Sequence, residues 1–153
     1  MTDDDLDPGG LDEIDPEECW ELLATQPIGR VAVIVGHYPL VFPVNFAVDG
    51  RQVVFRTAAG AKLWAIRRAN VTFEVDAFDV SHRSGWSVLI RGAAQEVTPE
   101  RNPLLSARSA ERGALPWAPG PRERLVRVVS DSISGRRIRP AELPSATDLR
   151  GYV

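Results

Sequence analysis

The sequence predicts a mostly β protein: a small antiparallel barrel of six strands with two or three short helices. Its length of 153 residues, with 44% hydrophobic content, is that of one domain around one core. Its apolar residues fall mainly in short β-branched runs between turn residues, without the alternation of strand and helix that a parallel sheet needs. Closing an antiparallel sheet into a barrel removes its edges and leaves polar positions at the mouth, where ligands often bind.

The N-terminal part of the chain predicts a tail and then a helix. Residues 1–14 combine an aspartate run with proline, glycine and little apolar content, so we expect a disordered acidic tail there. Asp15 and Pro16 have the character of a helix cap and a first-turn proline, and apolar residues follow at helical spacing. We therefore expect a helix from about residue 16 to residue 26.

A meander of strands is predicted after this helix. Asp49-Gly50 stands between two strand-like runs, and this dipeptide is typical of a type I′ hairpin turn. Residues 36–39 begin with a glycine and predict a turn between the strand-like runs of residues 31–35 and 40–48. The predicted strands of this part cover residues 31–35, 40–48, 52–57, 71–78 and 86–97.

Two further short helices are expected in this region. Residues 60–69 place Leu63, Trp64 and Ile66 on one apolar stripe, which predicts that the three side chains are buried together. Residues 99–112 have the composition of a helix that follows the last of these strands.

The C-terminal part predicts two more strands and a tail. Prolines at positions 116, 119 and 121 exclude regular structure in that stretch. Apolar residues from 125 to 138 then predict a final strand pair that turns near Ser134-Gly135. We expect a barrel domain over residues 15–140 and a C-terminal tail over residues 141–153.

Cysteine content and hydropathy exclude several classes of protein. The single cysteine, Cys19, cannot form an intramolecular disulfide or a cysteine-cluster zinc site, and we expect it to be buried on the first helix. No apolar run approaches the ~20 residues that span a bilayer, and the first residues are acidic where a secretory signal would be basic. The GxSxG and HExxH motifs of hydrolases are missing. A cytoplasmic location is expected.

Charge is divided unevenly along the chain. Residues 1–21 hold ten of the 21 acids and no base, which leaves 18 bases against 11 acids in the rest. A basic body attracts phosphorylated ligands or nucleic acid. Because no aromatic residues are interleaved with the bases and no recognition helix is predicted, we do not expect nucleic-acid binding.

One polar cluster has the residue types of a metal site. Asp76, Asp79 and His82 follow one another at three-residue spacing. The favoured interpretation is a solvated loop, so no metal site is predicted.

The segment from Phe55 to Lys62 has the features of a phosphate site. A strand is predicted to end there, a loop of small residues turns, and a helix begins. Arg56 offers a bidentate fork, Thr57 a hydroxyl and Lys62 a point charge, while a helix N-terminus adds unpaired N–H donors. The alternative is that Arg56 and Lys62 form ion pairs with nearby acids.

Several short motifs follow one another along the chain in a distinctive order. They are Gly29-Arg30-Val31-Ala32, Pro43-Val44-Asn45-Phe46, Asp49-Gly50, Phe55-Arg56-Thr57, Gly60, Lys62, Phe73-Glu74-Val75-Asp76, Gly85-Trp86-Ser87-Val88 and Gly92. In this order they resemble the FMN-binding split-barrel proteins of the pyridoxamine 5′-phosphate oxidase-like family. The resemblance covers roughly residues 16–138 and is strongest for the short members that are common in actinobacteria.

The resemblance implies a flavin site and a homodimer. At matching positions, the family holds the flavin phosphate with Arg56, Thr57 and Lys62, and the ring runs along the strand edge that bears Pro43, Val44 and Asn45. Trp86 and Ser87 match positions near the dimer seam, where contact with the cofactor is expected. Trp86, or a partner subunit's Trp117, is a candidate to stack on the ring, although core packing or a satisfied turn is the favoured interpretation of Trp117.

The function that follows is a flavin-dependent oxidoreductase, with hydride transfer at the flavin N5 to or from a small organic substrate and no catalytic side chain. FMN is the expected cofactor, and a deazaflavin coenzyme is the alternative within the same fold. A non-catalytic module that binds flavin or haem is the second class, in which His37 or His82 would be the axial haem ligand. The histidine arrangement that holds pyridoxal phosphate in the oxidase itself is missing, so that activity is not expected.

Overall fold

The structure, a computed structural model, describes residues 11–140. The described part is mostly antiparallel β with three short helices, which confirms the predicted class. In chain order the elements are β1 (Asp12–Ile14), α1 (Pro16–Leu23), β2 (Ile28–Val35), β3 (Tyr38–Val48), β4 (Gln52–Thr57), α2 (Ala61–Ile66), β5 (Asn70–Asp79), β6 (Ser84–Val97), α3 (Pro103–Glu111) and β7 (Arg124–Ile138).

Six of the strands close into a ring. Every pairing is antiparallel, and the order β7-β4-β3-β2-β5-β6 returns to its start because β6 also pairs with β7. The long strand β7 makes this closure: one edge follows β6, while the other edge pairs with β4 in its first half and with β1 near its end. The six-stranded barrel predicted from the sequence is therefore present.

Strand β1 corrects the prediction of a tail over residues 1–14. Residues 12–14 pair with β7, and Ile14 is only 5% exposed in the main core. The low apolar content of the whole segment hid the contribution of Ile14 to the core. Residues 1–10 and the predicted tail over residues 141–153 lie outside the described residues.

The final strand pair predicted to turn near Ser134-Gly135 is wrong, because β7 runs through these residues without a turn. Gly135 pairs with Val88 on one side and with Ile14 on the other. A Cβ atom there would lie 2.6 Å from Cys19 Sγ, so glycine serves the close approach of α1 to the sheet. The irregularity in this part of the sheet is a register shift between the paired strands β6 and β7 at Arg91/Gly92, where such a shift bends the strands.

The hairpin predicted at Asp49-Gly50 is present, but its turn type differs. Gly50 has a φ of +63°, and Asp49 is not among the residues of positive φ in the described part of the chain. The Asp49 N–H donates to the Gln52 carbonyl at 3.0 Å, so Gly50 and Arg51 are the central residues. Glycine in the first central position is typical of a type II′ turn.

The core fills the barrel and is capped by two helices. Phe55, Phe73 and Ile90 are fully buried inside it, and Leu63 and Ile66 of α2 pack against them. Trp64 is 64% exposed, which corrects the expectation that it joins this stripe. Helices α1 and α2 each end three residues earlier than predicted. Because α2 has only six residues, the face that buries Leu63 and Ile66 has no room for a third large side chain.

Outside the barrel, a second and smaller apolar cluster lies under α3. Cys19 of α1 is fully buried, as predicted. Within residues 11–140, no helix has both the length and the apolar character needed to cross a bilayer.

Candidate cofactor-binding site

The segment predicted to bind phosphate forms a corner between β4 and α2. Phe55 points into the core, so the alternation of the strand directs Arg56 to the outer face. Gly60, with a φ of +148°, turns the chain into α2, and the buried Leu63 anchors that helix on the core. The backbone on both sides of the corner is thus held by core side chains.

The corner borders a cavity of about 500 Å³. Six of the eight residues predicted to bind the cofactor line this cavity, namely Pro43, Val44, Asn45, Arg56, Thr57 and Lys62. Strand β3 supplies one wall, residues 56–62 supply a second, and the irregular segment before β7 supplies a third.

Arg56 is held in place without a carboxylate partner. Its Nη2 donates to the Ser106 carbonyl at 2.9 Å and lies 3.3 Å from the Ser109 hydroxyl, so α3 positions the guanidinium. The Arg56 Nε is buried and has no hydrogen-bond partner within the described residues. A buried donor without a partner is costly, so the hydrogen bonding of this guanidinium is incomplete in the described part of the chain.

The other cations of the cavity are Lys62 and Arg122. Lys62 Nζ lies 5.1 Å from the centre of the Phe42 ring. Arg122 donates to the carbonyl groups of Ala118 and Pro119. Among residues 11–140, no acid lines this cavity or pairs with Arg56 or Lys62, so the alternative in which acids neutralise them is wrong.

Asn45 joins three segments of the chain. Its Nδ2 donates to the Pro27 carbonyl at 3.1 Å, and its Oδ1 accepts from the Trp117 N–H at 2.8 Å. These bonds leave one amide hydrogen of Asn45 for a ligand. Asn45 therefore fixes the wall of the cavity.

Trp86 and Ser87 do not line this cavity. They lie on β6 opposite Arg137 and Arg136, and Trp86 packs against the main core. Within one subunit the structure does not bring them together with the other six predicted residues. Trp117 is 70% exposed, so it does not pack in the core, and its N–H is satisfied by Asn45 Oδ1 in an irregular segment.

Sequence reasoning missed the third wall of the cavity. Pro116, Ala118 and Arg122 line it from a stretch without helix or strand. This stretch is more than fifty residues away in sequence from the corner, and its prolines indicated only the absence of regular structure. An arginine beside those prolines was the one available signal.

The candidate metal ligands form ion pairs and hydrogen bonds instead. His82 Nδ1 lies 2.7 Å from Asp79 Oδ2, and this hydrogen bond lowers the pKa of Asp79. Arg30 binds Glu74 at 2.9 Å and Asp76 at 3.5 Å, while burial and the neighbouring Asp76 raise the pKa of Glu74. No group of three metal-ligating side chains occurs in residues 11–140.

Comparison with known proteins places this geometry in a family. The model of the pyridoxamine 5′-phosphate oxidase family matches residues 15–137. The chain belongs to this family. The match begins at the cap of α1 and ends one residue before the end of β7, so it contains all six strands of the ring except Ile138.

Relatives and solved structures agree with this assignment. A protein of Mycobacterium tuberculosis is 35% identical over 132 residues, which are 82% of this chain and 84% of the relative. The structure of an FAD-binding protein from Mycobacterium smegmatis is 39% identical with a TM-score of 0.69, and the alignment covers 84% of this chain and all of that one. An FAD-binding protein from Mesorhizobium loti, at 21% identity, shares the fold with a TM-score of 0.72 over 84% of this chain and 96% of its own.

Proposed function

We propose that this protein binds FMN, with the phosphate at the corner formed by residues 56–62, and acts as a flavin-dependent oxidoreductase. The observation that supports it most is the cavity itself, which is lined by Arg56, Lys62 and Arg122 and by no acid of the described residues. Three cations beside one opening favour an anion of at least two charges, as a phosphomonoester carries near neutral pH.

The chemistry of these donors suits a phosphate. Arg56 supplies a guanidinium, and Thr57 and Lys62 add a hydroxyl and an ammonium within the same lining. Hydrogen bonds to charged groups contribute about 1.5–3 kcal/mol each, so three of them support micromolar affinity.

The role of the chain is to bind and orient the cofactor. When bound, the flavin ring would supply hydride transfer at N5 to or from a small organic substrate. Pro43 and Val44 offer an apolar strand edge along which such a ring would lie, and Asn45 retains one amide hydrogen for its polar rim. No His, Cys, Asp or Glu of the described residues lines the cavity, so the proposal assigns no general base to the protein.

A twofold homodimer is part of this proposal. On the outer face of the β2–β3 hairpin, Ile34 is 67% exposed and Val41 is 62% exposed. Apolar side chains clustered at a surface favour an interface. A second subunit over such a surface would add the wall that Trp86 and Ser87 do not supply within one subunit. Sedimentation should give a dimer, and a monomer that persists at all concentrations would contradict this.

FAD is the second candidate cofactor. It is favoured by the Mycobacterium smegmatis relative, described as FAD-binding, whose whole length this chain covers. A deazaflavin coenzyme remains the third candidate, since its acidic tail suits the arginine-rich body. Haem has less support, because His37 and His82 lie in turns and do not line the cavity.

The first experiment is the absorption spectrum and mass of whatever copurifies, followed by titration of the protein with FMN. Arg56→Ala/Lys62→Ala should weaken FMN binding at least tenfold, and unchanged affinity would refute the phosphate assignment. Arg51→Ala is the matched control, because Arg51 is an exposed arginine that pairs with Glu17. Turnover would be tested by anaerobic reduction of the bound flavin with nicotinamide or deazaflavin donors; binding without any reduction would favour the non-catalytic module.

A further inference from the structure

A second basic cavity borders the far end of α2. Its volume is about 510 Å³, and five arginines line it: Arg67, Arg68, Arg101, Arg124 and Arg127. This volume lies within the ~300–1,000 Å³ typical of small-molecule sites. We propose that this five-arginine cavity is a second anion-binding site, which takes a nucleotide-sized ligand with two adjoining phosphates independently of the flavin.

Two of these arginines are held by partners, but only one of them is neutralised. Arg124 Nε donates to Glu96, which is the one acid of the described residues that lines the cavity. Arg127 donates two hydrogen bonds, at 3.0 and 2.9 Å, to the neutral Gln95 Oε1. The five-arginine cavity therefore has a formal excess of four positive charges.

The other three guanidinium groups are available to a ligand. Arg67 stacks over the exposed Trp64 ring at 4.0 Å, and this contact leaves the edge of the guanidinium, where its N–H donors lie, unused. Within residues 11–140, the side chains of Arg68 and Arg101 make no hydrogen bond or ion pair. Arg68 has a φ of +62°, a conformation that few non-glycine residues adopt, and its N–H donates to the Ala94 carbonyl at 2.8 Å.

The excess charge of the five-arginine cavity and the placement of its arginines on separate walls favour two phosphates over one. A single phosphate carries about two negative charges near pH 7, which is half of the excess. Arg67 and Arg68 directly follow the last residue of α2, whereas Arg101 lies in the turn before α3. Guanidinium forks on separate walls match two phosphates better than they match a single small ion.

The five-arginine cavity is separate from the corner cavity, although the two are neighbours. Lys62, in the first turn of α2, lines the corner cavity, and Arg67, directly after the last residue of α2, lines the second one. Thr57 of the corner cavity is the strand partner of Arg124 in the second. This arrangement allows each site to be removed without touching a residue of the other.

The test is calorimetric titration of the full chain with ADP, AMP and adenosine. We expect ADP to bind at least tenfold more tightly than AMP, and adenosine not to bind. The variant Arg56→Ala/Lys62→Ala should bind ADP as the wild type does, so the result does not depend on whether flavin binds. Arg68→Asn/Arg101→Ala should weaken ADP binding at least tenfold, with asparagine chosen because it tolerates positive φ.

A charge-matched control separates a site from general electrostatics. Arg51→Ala/Arg139→Ala removes two exposed arginines that pair with acids elsewhere, and it should change ADP affinity less than twofold. Equal losses in the two arginine double variants, ADP that binds no more tightly than AMP, or loss of ADP binding in Arg56→Ala/Lys62→Ala would each overturn the proposal. If Arg68→Asn/Arg101→Ala unfolds, Arg101→Ala alone should still weaken ADP binding at least threefold, because Arg101 is an exposed turn residue.

Discussion

Replacing Gly135 by alanine tests the packing of α1 on β7. The added Cβ would lie 2.6 Å from Cys19 Sγ and 3.0 Å from Ile14 Cβ, so the variant should be overpacked. Overpacking of a buried site lowers the free energy of unfolding by about 1–3 kcal/mol. Cys19→Ala, which deletes one buried atom, should lower it by about 0.5–1.5 kcal/mol.

The two substitutions should be coupled, because Cys19→Ala deletes the atom that the new Cβ meets. We expect the double variant to be at least about 1 kcal/mol more stable than the sum of the single effects predicts. Urea unfolding followed by circular dichroism measures this, provided that the dependence on urea is unchanged.

A second glycine provides the control for this coupling. Gly85→Ala, whose Cβ meets the Phe78 ring at 2.2 Å, should combine additively with Cys19→Ala. A neutral Gly135→Ala, or additivity of Gly135→Ala with Cys19→Ala, would refute the packing described for β7.

Three other predictions concern stability and reactivity. Burial raises the pKa of Cys19, so Ellman's reagent should modify this thiol only after unfolding; rapid modification of the native protein would contradict its burial. Gly92→Ala should prevent folding, because its Cβ would lie 1.9 Å from the Val129 carbonyl oxygen, and a soluble variant with a native thermal transition would be evidence against the β6–β7 closure. Since the pKa of Glu74 is raised above its ordinary value of 4.5, its contribution to stability is present at lower pH and is lost as pH rises through the raised value. Between about pH 4 and pH 7, the free energy of unfolding of wild type should therefore fall relative to that of Glu74→Gln, and parallel pH profiles would contradict the shift.

The barrel was predictable because its strands carry local signals. β-Branched runs and the Asp49-Gly50 dipeptide predicted the meander, although the turn is centred on Gly50 and Arg51. Gly135 shows where local signals mislead, since a glycine next to a serine is typical of a turn but here serves a close contact with a helix more than a hundred residues earlier. Trp64 shows that an apolar stripe overstates burial when the helix is short.

The candidate site was predictable only where it is local in sequence. Residues 56–62 could be named because strand ends and small-residue loops have recognisable patterns, whereas residues 43–45 were named only through the resemblance to the family. Arg122 could not, because it reaches the cavity through an irregular stretch that has no period. The five-arginine cavity draws its residues from four separate segments, and only the folded chain brings them together.

The preference for FMN over riboflavin tests the central claim most directly, because the two ligands differ only in the phosphate. For the wild type, the dissociation constant of FMN should be at least tenfold lower than that of riboflavin. In Arg56→Ala/Lys62→Ala this preference should largely disappear, while riboflavin affinity stays within about twofold of the wild-type value. A wild type that binds both flavins equally, or a double variant that retains the full preference, would contradict a phosphate site at this corner.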